Sequence, residues 1–220
     1  MTGQLVFEFP HRPAFGAEDF LVAPSNAAAV AWLDRWPGWP SSAAVLHGPR
    51  GCGKTHLAHV FEARSGAVLR AAAALTPDDV PELAAHAAAV VDDAEQAAEQ
   101  PLLHLVNLVA EHGGHLLLTA QSPPARWTTA LPDLRSRLLA MPAVAVLPPD
   151  DALIGAVLVK LFADRQLVVG EDVIVFLLHH MERSFAAARR IVAALDRAAL
   201  AAQRRVTVNL ARRVLAGEEG

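Results

Sequence analysis

The chain has 220 residues, 53% of them hydrophobic, with a formal net charge of −4 and an isoelectric point near 6.2. This is enough apolar material for one domain of ordinary size and a smaller companion, and the acidic balance argues against a dedicated nucleic-acid binder. No apolar stretch reaches the roughly 20 residues of a membrane span, and no signal peptide opens the chain, so a cytoplasmic protein without membrane contact is predicted.

In chain order, the first element with chemical content is the apolar run Ala43-Ala44-Val45-Leu46, which reads as a buried parallel strand. It leads into Gly48-Pro49-Arg50-Gly51-Cys52-Gly53-Lys54-Thr55, which fills every fixed position of G-x-x-x-x-G-K-[ST], followed by His56 and the helical spacing of Leu57 to Phe61. A strand, a glycine-rich turn and a helix N-terminus suit a nucleoside di- or triphosphate. The glycines let backbone N–H groups approach, Lys54 adds a point charge, and the Thr55 hydroxyl is suited to hold Mg2+. Cys52 is the only cysteine, which excludes an intrachain disulfide and leaves too little sulfur for a structural zinc site. The loop dipoles and Lys54 favour a thiolate at Cys52.

Four further strands are predicted at 67–70, 88–91, 115–119 and 144–147, with helices between them. One of those helices starts at Thr76, with Pro77 in its first position. Such alternation implies a mostly parallel sheet covered on both faces. The strand at 88–91 ends in Asp92-Asp93; beside a phosphate loop, Asp92 suits the Mg2+ shell and Asp93 the orientation of a water. The pairs His56/His59, His112/His115 and His179/His180 fall in no metal-ligand motif and read as solvated or helix-end histidines. Pro148-Pro149-Asp150-Asp151 breaks the pattern. Beyond it, 151–166, 171–181, 184–203 and 207–216 read as successive helices.

Taken together, these motifs resemble the AAA+ family, and within it the group formed by the replication initiator DnaA and its shorter relative Hda. Phe15 to Asn26 is similar to the segment that lies against the adenine in that group, with Val22 among the contacts. Leu118 to Pro124 resembles the sensor 1 strand end, with Gln121 at the polar sensor position, and Leu131 to Leu138 resembles the stretch that carries the arginine finger, placing it at Arg137. The resemblance implies an AAA+ α/β base with a five-stranded parallel sheet at 15–148, a small all-helical lid at 149–220, and an extended segment at 1–14. Within that segment Gln4-Leu5-Val6-Phe7-Glu8-Phe9 resembles a peptide that docks on the DNA polymerase sliding clamp, with Gln4, Leu5, Val6, Phe7 and Phe9 as anchors. The sequence ends at Gly220, soon after the last lid helix, so no helix-turn-helix domain and no sequence-specific DNA binding are expected.

One departure lies in the lid. Alignment to the family pattern puts Ala186 where the sensor 2 arginine belongs, with Arg189 and Arg190 about a turn later and Arg183 almost a turn earlier as substitutes; Arg189 is the candidate for nucleotide contact. Aspartate rather than glutamate at position 93 predicts slow intrinsic turnover. The resemblance implies bound ADP or ATP with Mg2+, DnaA and the sliding clamp as partners, and stimulation of DnaA-bound ATP hydrolysis as the activity; a homodimer stays open. An autonomous homo-oligomeric ATPase and a non-catalytic adaptor use the same motifs and stay open as alternatives.

Overall fold

The computed structural model describes residues 21–217. Five strands form one sheet: β1 (Ala43–His47), β2 (Val68–Ala71), β3 (Ala88–Asp92), β4 (His115–Ala120) and β5 (Ala143–Ala145). Their order is β2-β3-β4-β1-β5, with every neighbouring pair parallel. The apolar runs are continuous because both faces are covered. Ala43 and Val45 of β1, Ala89 and Val91 of β3, and Leu116 and Leu118 of β4 face one core, whereas Ala44, Leu46, Ala88, Val90 and Leu117 face the other. The first core is shared with α3 (Asp79–Ala85), α4 (Glu99–Glu111) and α5 (Pro132–Ala140). Helices α1 (Ala27–Leu33) and α2 (Lys54–Ser65) cover the second.

Two boundaries in the sheet region differ from the sequence reading by two residues or more. The last strand covers 143–145 rather than 144–147: it pairs only with β1, and after it Leu147 donates its N–H to Ser25 instead, at 2.9 Å. Helix α3 starts at Asp79 rather than near Pro77. The Asp79 carboxylate accepts from both the amide (2.8 Å) and the hydroxyl (2.6 Å) of Thr76, which holds residues 76–78 in a turn ahead of the helix. These two bonds hold the Asp79 carboxyl below the usual aspartate range.

Contacts divide the chain into two compact units, with the break between Leu147 and Pro148. The second unit consists of α6 (Asp151–Ala163), α7 (Glu171–His180), α8 (Phe185–Ala202) and α9 (Val208–Leu215) around its own core of Leu158, Phe162, Leu177, Leu195 and their neighbours. Side chains begin three of these helices. Asp150 accepts from the Leu153 amide at 2.8 Å, Ser184 from Ala187 at 3.1 Å and Thr207 from Leu210 at 3.4 Å; each satisfies an amide with no partner inside the helix. The helices end slightly earlier than their apolar patterns suggest, α6 before Gln166 and α8 before Gln203, both at positive φ. No helix among the described residues is long and apolar enough to cross a membrane.

Candidate functional site

The C-terminal edge of the sheet gathers the predicted nucleotide residues, because β1, β4 and β3 lie side by side and parallel and so end together. From the end of β1 the chain turns through Gly48, Pro49, Arg50, Gly51, Cys52 and Gly53 and enters α2 at Lys54. Gly53 caps α2 at φ 103°, a left-handed conformation open to glycine at little cost. Gly48 is constrained differently: a Cβ there would lie 2.1 Å from the Val146 carbonyl oxygen, so the loop passes against the β5 exit only because this residue lacks a side chain.

Lys54 is 6% exposed, and its Nζ donates to the carbonyls of Gly48 at 2.8 Å and Pro49 at 3.0 Å. The ammonium therefore lies inside the loop, against its first two carbonyls. Thr55 donates its hydroxyl to Asp92 at 3.0 Å. Asp92 also accepts from the Thr119 hydroxyl, and the same Thr119 oxygen accepts the Asp93 amide at 2.9 Å. Asp93 adopts φ +56°, an uncommon backbone for a residue other than glycine. Thr119 is fully buried, and as a hub between β3 and β4 it holds the Asp92 carboxylate and the Asp93 amide. Hard oxygens from Thr55 and Asp92 suit Mg2+, and no group of three or more His, Cys, Asp or Glu among the described residues could hold a metal by itself. That donor set matches an ion completed by phosphate oxygens and water.

Gln121 lies just beyond β4, where its side chain accepts from Arg50 Nε at 3.2 Å, tying the sensor position to the phosphate loop. His56 is half-buried in the first turn of α2. Val22 packs on the edge of the second core, and buried Asn26 ties this segment by bonds to the Ala23 amide and the Leu21 carbonyl. Arg137 lies in the last turn of α5, 44% exposed and 3.3 Å from Asp133. Arg189, in the lid, is exposed on α8. Arg183 is committed to Asp151 by two bonds of 2.6 and 3.0 Å. Ala186 is exposed in the first turn of α8. Gln4, Leu5, Val6, Phe7 and Phe9 lie outside the described residues.

The structure corrects one expectation. Cys52 is 3% exposed, and its burial pushes the thiol up more strongly than Lys54 and the loop amides lower it. The loop therefore holds a thiol rather than a reactive thiolate. His47, at the end of β1, is pushed down by burial and then by Arg126 and Lys54, so the base of the loop holds a neutral imidazole.

Sequence reasoning also missed two carboxylates. Glu95 accepts from the Gln121 and Ser122 amides at 3.1 and 3.3 Å, holding the sensor turn. Glu99 accepts from Ala130 at 2.8 Å and Leu131 at 2.7 Å, holding the residues that start α5; Leu131, the N-cap of α5, makes no side-chain cap bond of its own. Their only trace in the sequence is a pair of glutamates four apart, just after Asp93.

A phosphate loop after β1, an aspartate pair two strands away at the end of β3 and a separate helical unit make up the AAA+ P-loop fold. The Hda lid-domain family matches residues 151–215. The chain is 25% identical over 238 residues to the replication initiator DnaA of Thermomicrobium roseum, covering 95% of this chain and 50% of that protein. It is 28% identical to Caulobacter vibrioides DnaA over 163 residues, which are 62% of this chain and 33% of that one; the chain thus spans at most half the length of these relatives. Among solved structures, domain III of Thermotoga maritima DnaA superposes with a TM-score of 0.77 at 18% identity, covering 95% and 98% of the two chains. AMPPCP-bound DnaA from Aquifex aeolicus gives 0.68 at 15% identity, covering 83% and 65%. The Thermotoga maritima RuvB branch-migration motor gives 0.67 at 14%, covering 87% and 66%. The chain is thus similar to DnaA over most of its length and to the Hda lid domain at residues 151–215.

Proposed function

We propose that this protein binds ADP or ATP with Mg2+ as a resident ligand and acts on DnaA, stimulating hydrolysis of DnaA-bound ATP and so limiting re-initiation of replication. The observation that carries this reading is Arg137: it stands exposed in the last turn of α5, held among the described residues only by an exposed i,i+4 contact, as an arginine that acts on a neighbouring subunit must. Such a finger stabilises charge on phosphates held by another subunit and is worth roughly 10³ to 10⁵ in rate in other nucleotide hydrolases.

The chain's own nucleotide lies against the loop 48–55, with Lys54 and the loop amides facing its phosphates, Thr55 and Asp92 supplying ion ligands, and Val22, His56 and Gln121 completing the surround. Nucleotide binding of this kind is supported by AMPPCP in the related DnaA structure. Asp93, a carboxylate one methylene shorter than the usual glutamate, makes intrinsic turnover slow. Residues 4–9 dock on the sliding clamp, 15–148 form the base and 149–220 the lid.

The test is ATP hydrolysis by the cognate DnaA with this protein, DNA-loaded clamp and nucleotide present, then with each omitted in turn. Stimulation is expected to need every component and to vanish in Arg137→Ala, while clamp and nucleotide binding persist. Turnover by the isolated protein that rises with its own concentration, without any effect on DnaA, would overturn this reading in favour of a homo-oligomeric ATPase.

A further inference from the structure

The net charge of −4 hides an uneven distribution. Residues 184–217 hold seven arginines and one carboxylate, Asp196, so this segment carries +6 and the rest of the chain −10. Asp196 faces Arg165, in the turn after α6, at 3.8 Å. Arg189, Arg190 and Arg197 stand on α8, and Arg204 and Arg205 in the turn that follows. Arg212 and Arg213 lie on α9. All seven are exposed, and none has an ion-pair partner among the described residues.

At 3.6 residues per turn Arg190 and Arg197 point the same way, about 10 Å apart along α8. With His180 and Met181 they line a cleft of about 530 Å³ closed by Val214 and Leu215 of α9; Glu182 is its one acidic side chain. We propose that this arginine face of the lid docks the phosphate backbone of duplex DNA without sequence preference. Guanidinium is suited to phosphate because its planar fork donates two bonds at once. Arginines that lack a carboxylate partner give up no ion pair on binding a polyanion.

An acidic protein partner is disfavoured because such interfaces centre on apolar anchors seated in pockets. The apolar floor of the cleft, Met181, Ile191 and Ala194, is at most 9% exposed, and Leu200 is the only large apolar side chain of α8 and α9 that is freely exposed. Between the arginines the exposed positions are mostly small: Ala186, Ala201, Ala202 and Ala216. Charge without anchors is what backbone binding requires.

The experiment is fluorescence anisotropy of a labelled duplex of arbitrary sequence, titrated with the full chain at several salt concentrations. Affinity is expected to fall linearly with salt on logarithmic axes. Arg190→Gln/Arg197→Gln should lower the slope by about 1.8 and weaken binding by one to two orders of magnitude at about 0.1 M salt. Arg190→Lys/Arg197→Lys should keep the slope. Arg183→Gln, which removes an arginine already paired with Asp151, should leave it unchanged. Arg204→Gln/Arg205→Gln, outside both helices, should give a similar loss and decides the matter if the α8 variant fails to fold. The proposal is overturned by duplex binding that lacks salt dependence, by a slope indifferent to both glutamine pairs, or by polyglutamate binding the same face as tightly as duplex.

Discussion

The residues that start α5, and with them the direction in which Arg137 is presented, hang on one side chain from another helix. Glu99→Ala removes two charge-assisted bonds, to the Ala130 amide at 2.8 Å and the Leu131 amide at 2.7 Å. Hydrogen bonds to charged groups contribute about 1.5–3 kcal/mol each. The Ala130 amide is solvent-exposed and regains water, so the pair together is worth about 2 kcal/mol. For a chain of this size that lowers the melting temperature by about 4–8 °C. Glu99 also opens α4, where its charge adds about 0.5 kcal/mol through the helix dipole. The decisive readout is therefore hydrogen exchange at the Ala130 and Leu131 amides, which fraying of α4 leaves alone. Exchange there should accelerate in Glu99→Ala, and stimulation of DnaA hydrolysis should fall while nucleotide affinity stays the same. Glu99→Gln keeps the volume but turns one of the two accepting oxygens into a donor that faces an N–H, so it should behave like the alanine variant. A glutamine variant indistinguishable from the original protein would reduce Glu99 to packing and refute the reasoning.

Gly48→Ala would place a Cβ 2.1 Å from the Val146 oxygen and 2.9 Å from Cys52 Sγ; about 1–3 kcal/mol of overpacking should appear as a lower urea midpoint, together with loss of fluorescent-nucleotide binding. Cys52 should resist iodoacetamide at pH 8 in the folded protein and react once unfolded in urea, because burial both covers the sulfur and raises the thiol's pKa; fast alkylation of the native chain would refute this. The unfolded chain protonates His47 near pH 6.5, whereas the folded chain, whose His47 pKa is depressed, does not. Stability should therefore fall as the pH drops from about 6.5 toward the folded value. His47→Gln should flatten that part of the urea-midpoint profile, and an unchanged profile would show that His47 does not contribute.

Elements whose cause is local were legible in the residues themselves. The inner strands β1, β3 and β4 show as apolar runs because each is buried on both faces, and the phosphate loop shows because its glycines answer to backbone geometry within eight residues. The helix starts at Asp150, Ser184 and Thr207 belong to the same class, since a cap bond spans three residues. Where tertiary partners decide, the reading drifted. The end of β5 depends on a single neighbouring strand, and the start of α3 depends on how Asp79 takes up Thr76.

The supports of the site were out of reach for a different reason. Glu95 and Glu99 look like ordinary solvated glutamates until the fold brings amides 26 to 32 residues away to them. Thr119 looks like one polar residue in an apolar strand until β3 is laid beside it. For Cys52, local dipoles and a neighbouring lysine point toward a thiolate, and only the packing that buries the sulfur reverses the sign. The arginines of 184–217 could be counted from the start, but the helical packing decides that all of them face solvent. Local sequence determined which elements form and where phosphate chemistry concentrates, because those follow from backbone conformation and the burial period. Tertiary structure alone decided which charges are paired, buried or free, because desolvation and long-range hydrogen bonds exist only once distant segments have met.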